Sequence, residues 1–301
     1  MGTILLFIML LGSSSKADGE TNCVVYEIGI RIIGEQGLEA GIAFFETQVK
    51  AEENLWALFG MGWSYWKEGS NEQARQICAF ILERQPTGQL EANCQYLMGC
   101  LSFNQNEFEN SKTYFQNAHH LYTMEQSQQG IGNTLIGMCK VAIAAGNIAD
   151  ADTYLQEIAS FDKRDDYAAH LFELKSRVAF AKNDFKEALV MAKRARDVYA
   201  KRKQEIFSMY AHAMEGFLLV VNGKLHEAVP VLEEIDAYSR KTNDKRLSYY
   251  NGVSWVLLWR IQRYGHQPEV LPIRAYIDAF QDKHLERHLE FALEWNGFKD
   301  D

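Results

Sequence analysis

A unit of roughly 34 to 40 residues recurs along this chain, and the recurrence constrains the fold more than any other feature. In the clearest copy, residues 55–86, Tyr65 follows Gly62 by three positions, Gly69 marks a turn, and Ala74 stands twelve positions after Gly62. A repeat of this length predicts paired elements stacked along one axis, although the length of 301 residues alone suggests about two domains. Small residues equivalent to Ala74 recur through the chain, at Ala40, Ala74, Ser111, Ala151, Ala188 and Ala228.

The pattern resembles the tetratricopeptide repeat (TPR) family, whose signature includes a Leu-Gly pair, an aromatic residue one turn later, an alanine on the second helix and a terminal proline. Gly62, Tyr65, Ala74 and Pro86 take these places here. The resemblance implies an all-α fold, an α-solenoid of stacked antiparallel helix pairs that forms a right-handed superhelix. Three positions depart from the family pattern, namely Leu58, Met61 and Cys78.

The resemblance also implies about six to seven repeats and a division of the chain. Residues 22–242 are expected to form a TPR-like solenoid of six repeats, and residues 243–301 a divergent helical repeat with a C-terminal capping helix. Charged and apolar residues alternate in 282–295, as a helix that ends a solenoid in water requires. The six copies are 22–50, 55–86, 92–125, 132–165, 169–202 and 209–242.

The turn and contact residues of the repeat have physical reasons. Glycine and asparagine tolerate the positive φ that ends a helix, so each turn is predicted to use one of them. The small residue on the second helix lets the two helices of a pair approach closely. The turn residues are Gly69, Asn106, Gly146, Asn183 and Gly223.

The N-terminus suggests export. The apolar run 4–11, followed by Ser15 and Ala17, is typical of a secretory signal peptide occupying residues 1–17, although no Lys or Arg precedes the run. The run is too short to span a bilayer. A remnant of an N-terminal capping helix, or an extension from a misplaced start, is the alternative. The prediction is therefore an extracytoplasmic protein, periplasmic or secreted, with the cytoplasm as the second choice.

The five cysteines do not indicate a disulfide framework, because their number is odd, they are scattered, and they include no C-x-x-C pair or zinc spacing. The net charge of −9 argues against nucleic acid as the main partner. Residues 130–137 have the glycines of a phosphate loop, but Met138 and Cys139 replace its Lys and Ser/Thr. We therefore expect no enzymatic activity, no cofactor and no metal.

Four aromatic residues, Trp56, Phe59, Trp63 and Trp66, share one helical face within an arc of about 80°. In the TPR family, the first helix of each pair lines a concave groove, so the resemblance implies an aromatic groove that binds a peptide or an amphipathic helix. The same resemblance to the family implies further groove positions in the later repeats. These are Tyr96, Phe103, Ile136, Lys140, Ile143, Arg177, Phe180, Tyr210 and Phe217.

The sequence also allows alternatives to an open groove. The chain's own N-terminal or C-terminal helices would cover the aromatic stripe equally well. The basic run 193–203 is expected to be a solvated helix face, with an acidic partner surface as the alternative. His284 and His288, four residues apart, are better interpreted as surface histidines than as metal ligands.

Two functions follow from the resemblance. The first is a non-enzymatic protein-interaction scaffold, exported to the cell envelope, that binds a partner in its groove. The second is a cytosolic regulator or sensor that responds to peptides. TPR regulators of that kind commonly carry an N-terminal effector domain, for which the residues ahead of Cys23 leave no room. The partner and the oligomeric state do not follow from the sequence.

Overall fold

The computed structural model describes residues 20–52, 54–161, 167–262, 273–274 and 283–294. All regular secondary structure in these ranges is helical, so the predicted all-α helical repeat fold is confirmed. The predicted signal peptide, residues 1–17, lies outside the described residues. No helix in the described ranges is both long and apolar enough to cross a bilayer.

The chain divides into two compact units, residues 1–141 (unit 1) and residues 142–301 (unit 2). The division falls within a single helix. The helices of unit 1 are α1 (Glu20–Gln36), α2 (Leu38–Glu52), α3 (Leu55–Glu68), α4 (Asn71–Glu83), α5 (Gln89–Asn104), α6 (Phe108–Met124) and most of α7 (Gln128–Ala145).

Unit 2 contains the end of α7 and the remaining described helices. Most of them pair with the next helix in the chain, as in unit 1. They are α8 (Ile148–Phe161), α9 (Ala168–Ala181), α10 (Phe185–Lys201), α11 (Glu205–Val221), α12 (Leu225–Thr242), α13 (Lys245–Gln262) and α14 (Lys283–Glu294).

The turns within the helix pairs have the predicted conformation. Gly69 ends α3 at a φ of +87°, and its N–H donates to the Trp66 carbonyl, while the Ser70 N–H donates to the Tyr65 carbonyl. These bonds satisfy carbonyls that the last helical turn leaves open. The other four predicted turn residues, Asn106, Gly146, Asn183 and Gly223, also have positive φ.

Small residues bring the two helices of a pair together, as predicted. Ser111 and Ala188 are fully buried, and each stands twelve positions after a small residue of the preceding helix. The Ser111 hydroxyl donates to the Gly99 carbonyl at 2.8 Å, and the Ser176 hydroxyl donates to the Ala188 carbonyl at 2.8 Å. These interhelical bonds satisfy buried hydroxyls where a bulky side chain would push the helices apart.

Successive pairs also pack on one another. In unit 1, the ring of Phe115 on α6 lies between Gly99 of α5 and Gly137 of α7, so closely that a Cβ on either glycine would lie 2.8 Å from it. Each unit has its own large apolar core. The core of unit 1 includes Phe45 and Leu97, and the core of unit 2 includes Leu218 and Leu257, all fully buried.

Candidate functional site

The aromatic stripe predicted in the second repeat lies on α3, and it begins at a well-formed helix start. The Asn54 side chain accepts hydrogen bonds from the backbone N–H groups of Trp56 at 2.9 Å and Ala57 at 3.2 Å. This cap satisfies donors that have no intrahelical partner. It fixes the register of the helix and therefore the face on which the tryptophans stand.

Trp63 and Trp66 form the C-terminal part of the stripe with a cation. Their ring centroids are 4.6 Å apart, and the ammonium nitrogen of Lys67 lies 4.7 Å from the Trp66 ring and 5.1 Å from the Trp63 ring. Trp66 is half-buried and Lys67 is exposed. An ammonium at this distance is attracted by the ring faces, so this end of the stripe presents positive charge beside an aromatic surface.

The N-terminal part of the stripe contacts the first described helix. Tyr26 on α1 has its ring centroid 5.5 Å from that of Phe59 and 5.9 Å from that of Trp56. Phe59 is 2% exposed and Trp63 is 7% exposed. Of the four predicted groove aromatics on α3, Trp56 and Trp66 therefore offer the most surface, while Phe59 and Trp63 serve mainly as core.

The groove positions Tyr96 and Phe103 on α5 are half-buried. Tyr96 packs on Phe115 with ring centroids 5.5 Å apart, and Phe103 packs on Phe108 at 6.1 Å. Lys140 is also half-buried, whereas Ile136, its neighbour on α7, is 6% exposed.

Cys100 on α5 carries a thiol whose pKa is raised by burial to about 12, while a hydrogen bond with Tyr96 and the charges of Lys140 and Lys67 act in the opposite direction. The thiol is therefore uncharged at neutral pH. Trp56 and Trp66 of α3 and Tyr96 of α5 pack against the same apolar core of unit 1.

In unit 2, the predicted polar groove residues bond within the protein. The Arg177 guanidinium donates to Glu173 at 2.7 Å, and the Tyr199 hydroxyl donates to the other oxygen of Glu173 at 2.9 Å. The Tyr210 hydroxyl donates to the Asp244 carboxylate at 3.2 Å. These bonds fix the three side chains in place. The predicted groove residue Ile143 is 9% exposed and is therefore part of the core.

The predicted aromatic groove residues of unit 2, Phe180 and Phe217, contact the C-terminal helix. The His288 ring on α14 stacks on Phe180 with centroids 4.9 Å apart and planes 8° apart, and it lies 4.8 Å from the ring of Phe217. Phe291 lies 5.3 Å from Phe180 and 5.9 Å from Phe217. Phe217 is 3% exposed. Helix α14 therefore occupies the surface that these two phenylalanines would otherwise present.

Two minor expectations need correction. His288 is 3% exposed rather than a surface histidine, because it is enclosed by aromatic rings, and the side chain of His284 lies outside the described residues. The basic run is only partly a solvated face, since Arg196 and Lys193 both contact the buried carboxylate of Glu215. Within the described residues, no cluster of three or more His, Cys, Asp or Glu side chains could hold a metal ion.

Several residues of these surfaces were not found from the sequence. Tyr26 lies in the divergent first repeat, and Phe291 lies in the cap, where the repeat pattern does not specify which surface is covered. Lys67 directly follows Trp66 and is on the adjoining helix face, so a search for cations beside the stripe would have found it.

Solved structures with a similar fold include a Rap protein in complex with the competence and sporulation factor, with a TM-score of 0.69 and 12% identity over 93% of this chain and 81% of that one. The Rap conjugation gene regulator of plasmid pLS20, in complex with a Phr peptide, gives a TM-score of 0.63 and 13% identity over 94% and 85% of the two chains. A tetratricopeptide repeat protein from Parabacteroides merdae gives 0.57 and 10% over 91% and 100%. At these identities, the likeness shows the fold alone.

No family model matches the chain. No curated protein matches it in sequence either. These comparisons therefore support a TPR-like helical repeat fold and nothing more specific.

Proposed function

We propose that this protein is a non-enzymatic, peptide-binding regulator. It binds a peptide or an amphipathic helix of a partner on the surface that the first helices of its pairs form. The observation that carries the proposal is that the predicted groove residues Trp56, Trp66, Tyr96 and Phe103 of unit 1 are only half-buried, with Lys67 beside Trp66. Half-buried aromatic rings provide rigid contact area, and a peptide segment that covers them removes apolar surface from water.

The similar structures support a peptide as the partner. Two of the similar structures are complexes, one with the competence and sporulation factor and one with a Phr peptide, and their alignments cover more than nine-tenths of this chain. Lys67 beside Trp66 favours a ligand with a carboxylate near an apolar side chain. We therefore prefer the regulator to the exported scaffold, because export depends on residues 1–17 and nothing in the described residues or the comparisons supports it.

The proposal is tested by the Trp66→Ala substitution in the full chain. Trp66 is half-buried and contacts Trp63 and Lys67, so its loss removes contact area for a ligand. We expect Trp66→Ala to weaken binding of the protein's peptide ligand by at least tenfold, since a hot-spot tryptophan typically contributes about 2 kcal/mol or more. A peptide library captured on immobilised wild-type protein supplies the ligand, and fluorescence anisotropy measures its Kd.

A matched control comes from the other helix of the same repeat. Phe80 on α4 is 41% exposed, and its ring contacts the guanidinium of Arg84 instead of the α3 stripe. Phe80→Ala should leave the Kd within twofold of wild type. Equal Kd values for the Trp66 and Phe80 variants, with both folded by circular dichroism, would refute the proposed binding surface.

A further inference from the structure

The predicted groove face of α9 is polar, whereas the same face of α3 is aromatic. Ser176 takes the place of Gly62 in the repeat, so the four groove positions of the two helices can be compared one by one. Those of α9 are His170, Glu173, Arg177 and Phe180, in the places of Trp56, Phe59, Trp63 and Trp66. Helix α14 packs on Phe180, but the side chains of the other three are 17%, 23% and 26% exposed. Away from α14, this face therefore presents polar groups to solvent.

One buried hydroxyl connects these polar groups. Tyr199 on α10 is 1% exposed, and its hydroxyl oxygen lies 2.9 Å from Oε2 of Glu173 and 2.8 Å from Nδ1 of His170. Because a carboxylate only accepts hydrogen bonds, the hydroxyl donates to Glu173, and its oxygen accepts from the Nδ1–H of His170. The other oxygen of Glu173 accepts from Nη2 of Arg177 at 2.7 Å. We call these four residues the Tyr199 network.

The Tyr199 hydroxyl remains a donor at neutral pH. Burial raises the pKa of Tyr199 well above its ordinary value, the charge of Glu173 acts in the same direction, and the charges of Arg177 and Arg202 oppose it. The ring itself stacks on Phe207 of α11, with centroids 5.5 Å apart and planes 25° apart. Packing therefore holds the ring, while the hydroxyl holds the carboxylate that contacts Arg177.

Arg177 keeps hydrogen-bonding capacity that the network does not use. A guanidinium has five N–H donors, and here Nη2 donates to Glu173 while the buried Nε finds no partner among the residues that the structure describes. The charges that act on the Tyr199 hydroxyl are two guanidinium groups, Arg177 and Arg202, and one carboxylate. Positive charge therefore exceeds negative charge among them, which favours an anionic ligand group. Arginine binds carboxylates through parallel N–H donors.

We infer that the Tyr199 network is a carboxylate-binding site of unit 2, in which Arg177 contacts the ligand and Tyr199 positions Arg177 through Glu173. The carboxylate comes from an acidic side chain of a peptide or from the C-terminus of that peptide, and both sources have the same chemistry. The inference rests on the proposed function and deepens it, because it specifies a chemical group that the peptide must carry.

The test begins with a pool of random octapeptides captured on the immobilised full chain and sequenced by mass spectrometry. One pool has free C-termini and the other has C-terminal amides, so the two sources of the carboxylate are distinguished. A captured acidic peptide is then compared with its neutral counterpart, in which the acid is replaced by the amide. We expect the wild-type protein to bind the acidic peptide about tenfold more tightly by fluorescence anisotropy, because hydrogen bonds to charged groups are the stronger ones.

The ratio of the two Kd values is the decisive quantity. Arg177→Met should reduce it from about tenfold to about one, and Arg177→Lys, which keeps the charge but loses the planar fork, should give an intermediate value. The matched control is Arg194→Met, since Arg194 is an exposed cation of α10 that lies over the ring of Phe172. This control should retain the wild-type ratio. An unchanged ratio in Arg177→Met would overturn the inference.

Tyr199→Phe tests the positioning role, because it removes the hydroxyl and keeps the ring that stacks on Phe207. We expect the ratio to fall to about threefold or less, while the Kd of the neutral peptide stays within about twofold of wild type. A merely structural role would weaken both peptides equally and leave the ratio unchanged, which would refute the assignment of Tyr199.

The inference and the proposed function fail in different ways. Capture of no peptide from either pool would refute the proposed function, and the carboxylate site with it. Capture of peptides without any preference for a carboxylate would overturn the inference alone. The Trp66→Ala test concerns unit 1, so its result does not alter the ratio that is measured for the Tyr199 network.

Discussion

Glu215, on α11, is a carboxylate that is 3% exposed inside unit 2, and basic side chains surround it. The Arg196 guanidinium lies 2.5 Å from one of its oxygens, His212 lies 3.2 Å from the same oxygen, and Lys193 lies 3.8 Å from the other. A buried carboxylate is tolerated when such partners compensate for its lost hydration. This explains why residues of the basic run face inward.

The Arg196→Met substitution should therefore be costly. It leaves Glu215 buried without its closest partner, and breaking such a pair costs about 3 kcal/mol, the low end of the usual range, because the guanidinium is 29% exposed. Urea denaturation of the variant and the wild type measures the difference in the free energy of unfolding.

Two control variants test whether the loss in the free energy of unfolding comes from the buried charge. Lys182→Met breaks the pair with Asp152, in which both side chains are more than two-fifths exposed, and should change the free energy of unfolding by less than about 1 kcal/mol. The double variant Arg196→Met, Glu215→Leu should recover most of the loss, since the buried charge is gone. A double variant as unstable as Arg196→Met would contradict the explanation.

At the scale of the element, the close contact within a helix pair explains the small residue at each repeat. Ala188 on α10 is fully buried, and its carbonyl accepts the hydroxyl of Ser176 from α9. The helices cannot separate at this point without breaking that bond. A larger side chain here has no free volume to enter.

We expect Ala188→Leu to lower the free energy of unfolding by about 1–3 kcal/mol through overpacking. Val190→Leu, two residues away on the same helix, adds a methylene at a position that is 43% exposed. It should change the free energy by less than about 0.5 kcal/mol. Thermal and urea melts of the two variants compare them directly, and equal losses would contradict the packing explanation.

At the scale of the whole molecule, each unit has its own core, and the helices of the repeat pack mainly on their neighbours along the chain. In such proteins, stability is approximately a sum of repeat and nearest-neighbour terms. Local opening therefore tends to stay near its origin.

This arrangement predicts how far the destabilising effect of a core substitution spreads along the chain. Leu97→Ala in unit 1 and Leu218→Ala in unit 2 each remove a fully buried side chain, at a cost of about 2–5 kcal/mol. Each should raise amide exchange by more than tenfold in the helices of its own unit and by much less in the other. Hydrogen exchange followed by mass spectrometry measures both, and a uniform rise throughout the chain would indicate one cooperative core instead.

The sequence by itself determined the helical pairs, because their signals are local. A positive φ at Gly69 or Asn183 and a small residue at Ala188 depend on a few neighbouring positions that recur at each repeat. Only the tertiary structure decided which aromatic rings are covered. Phe180 and Trp66 take the same repeat position, four residues after Ser176 and Gly62. The His288 and Phe291 rings of α14 nevertheless pack on Phe180, whereas Trp66 contacts Trp63 and Lys67 of its own helix. The reason is physical: the period of a repeat fixes the face on which a side chain stands, whereas its exposure depends on contacts with Tyr26, His288 and Phe291, which lie in divergent terminal segments outside the clear repeats.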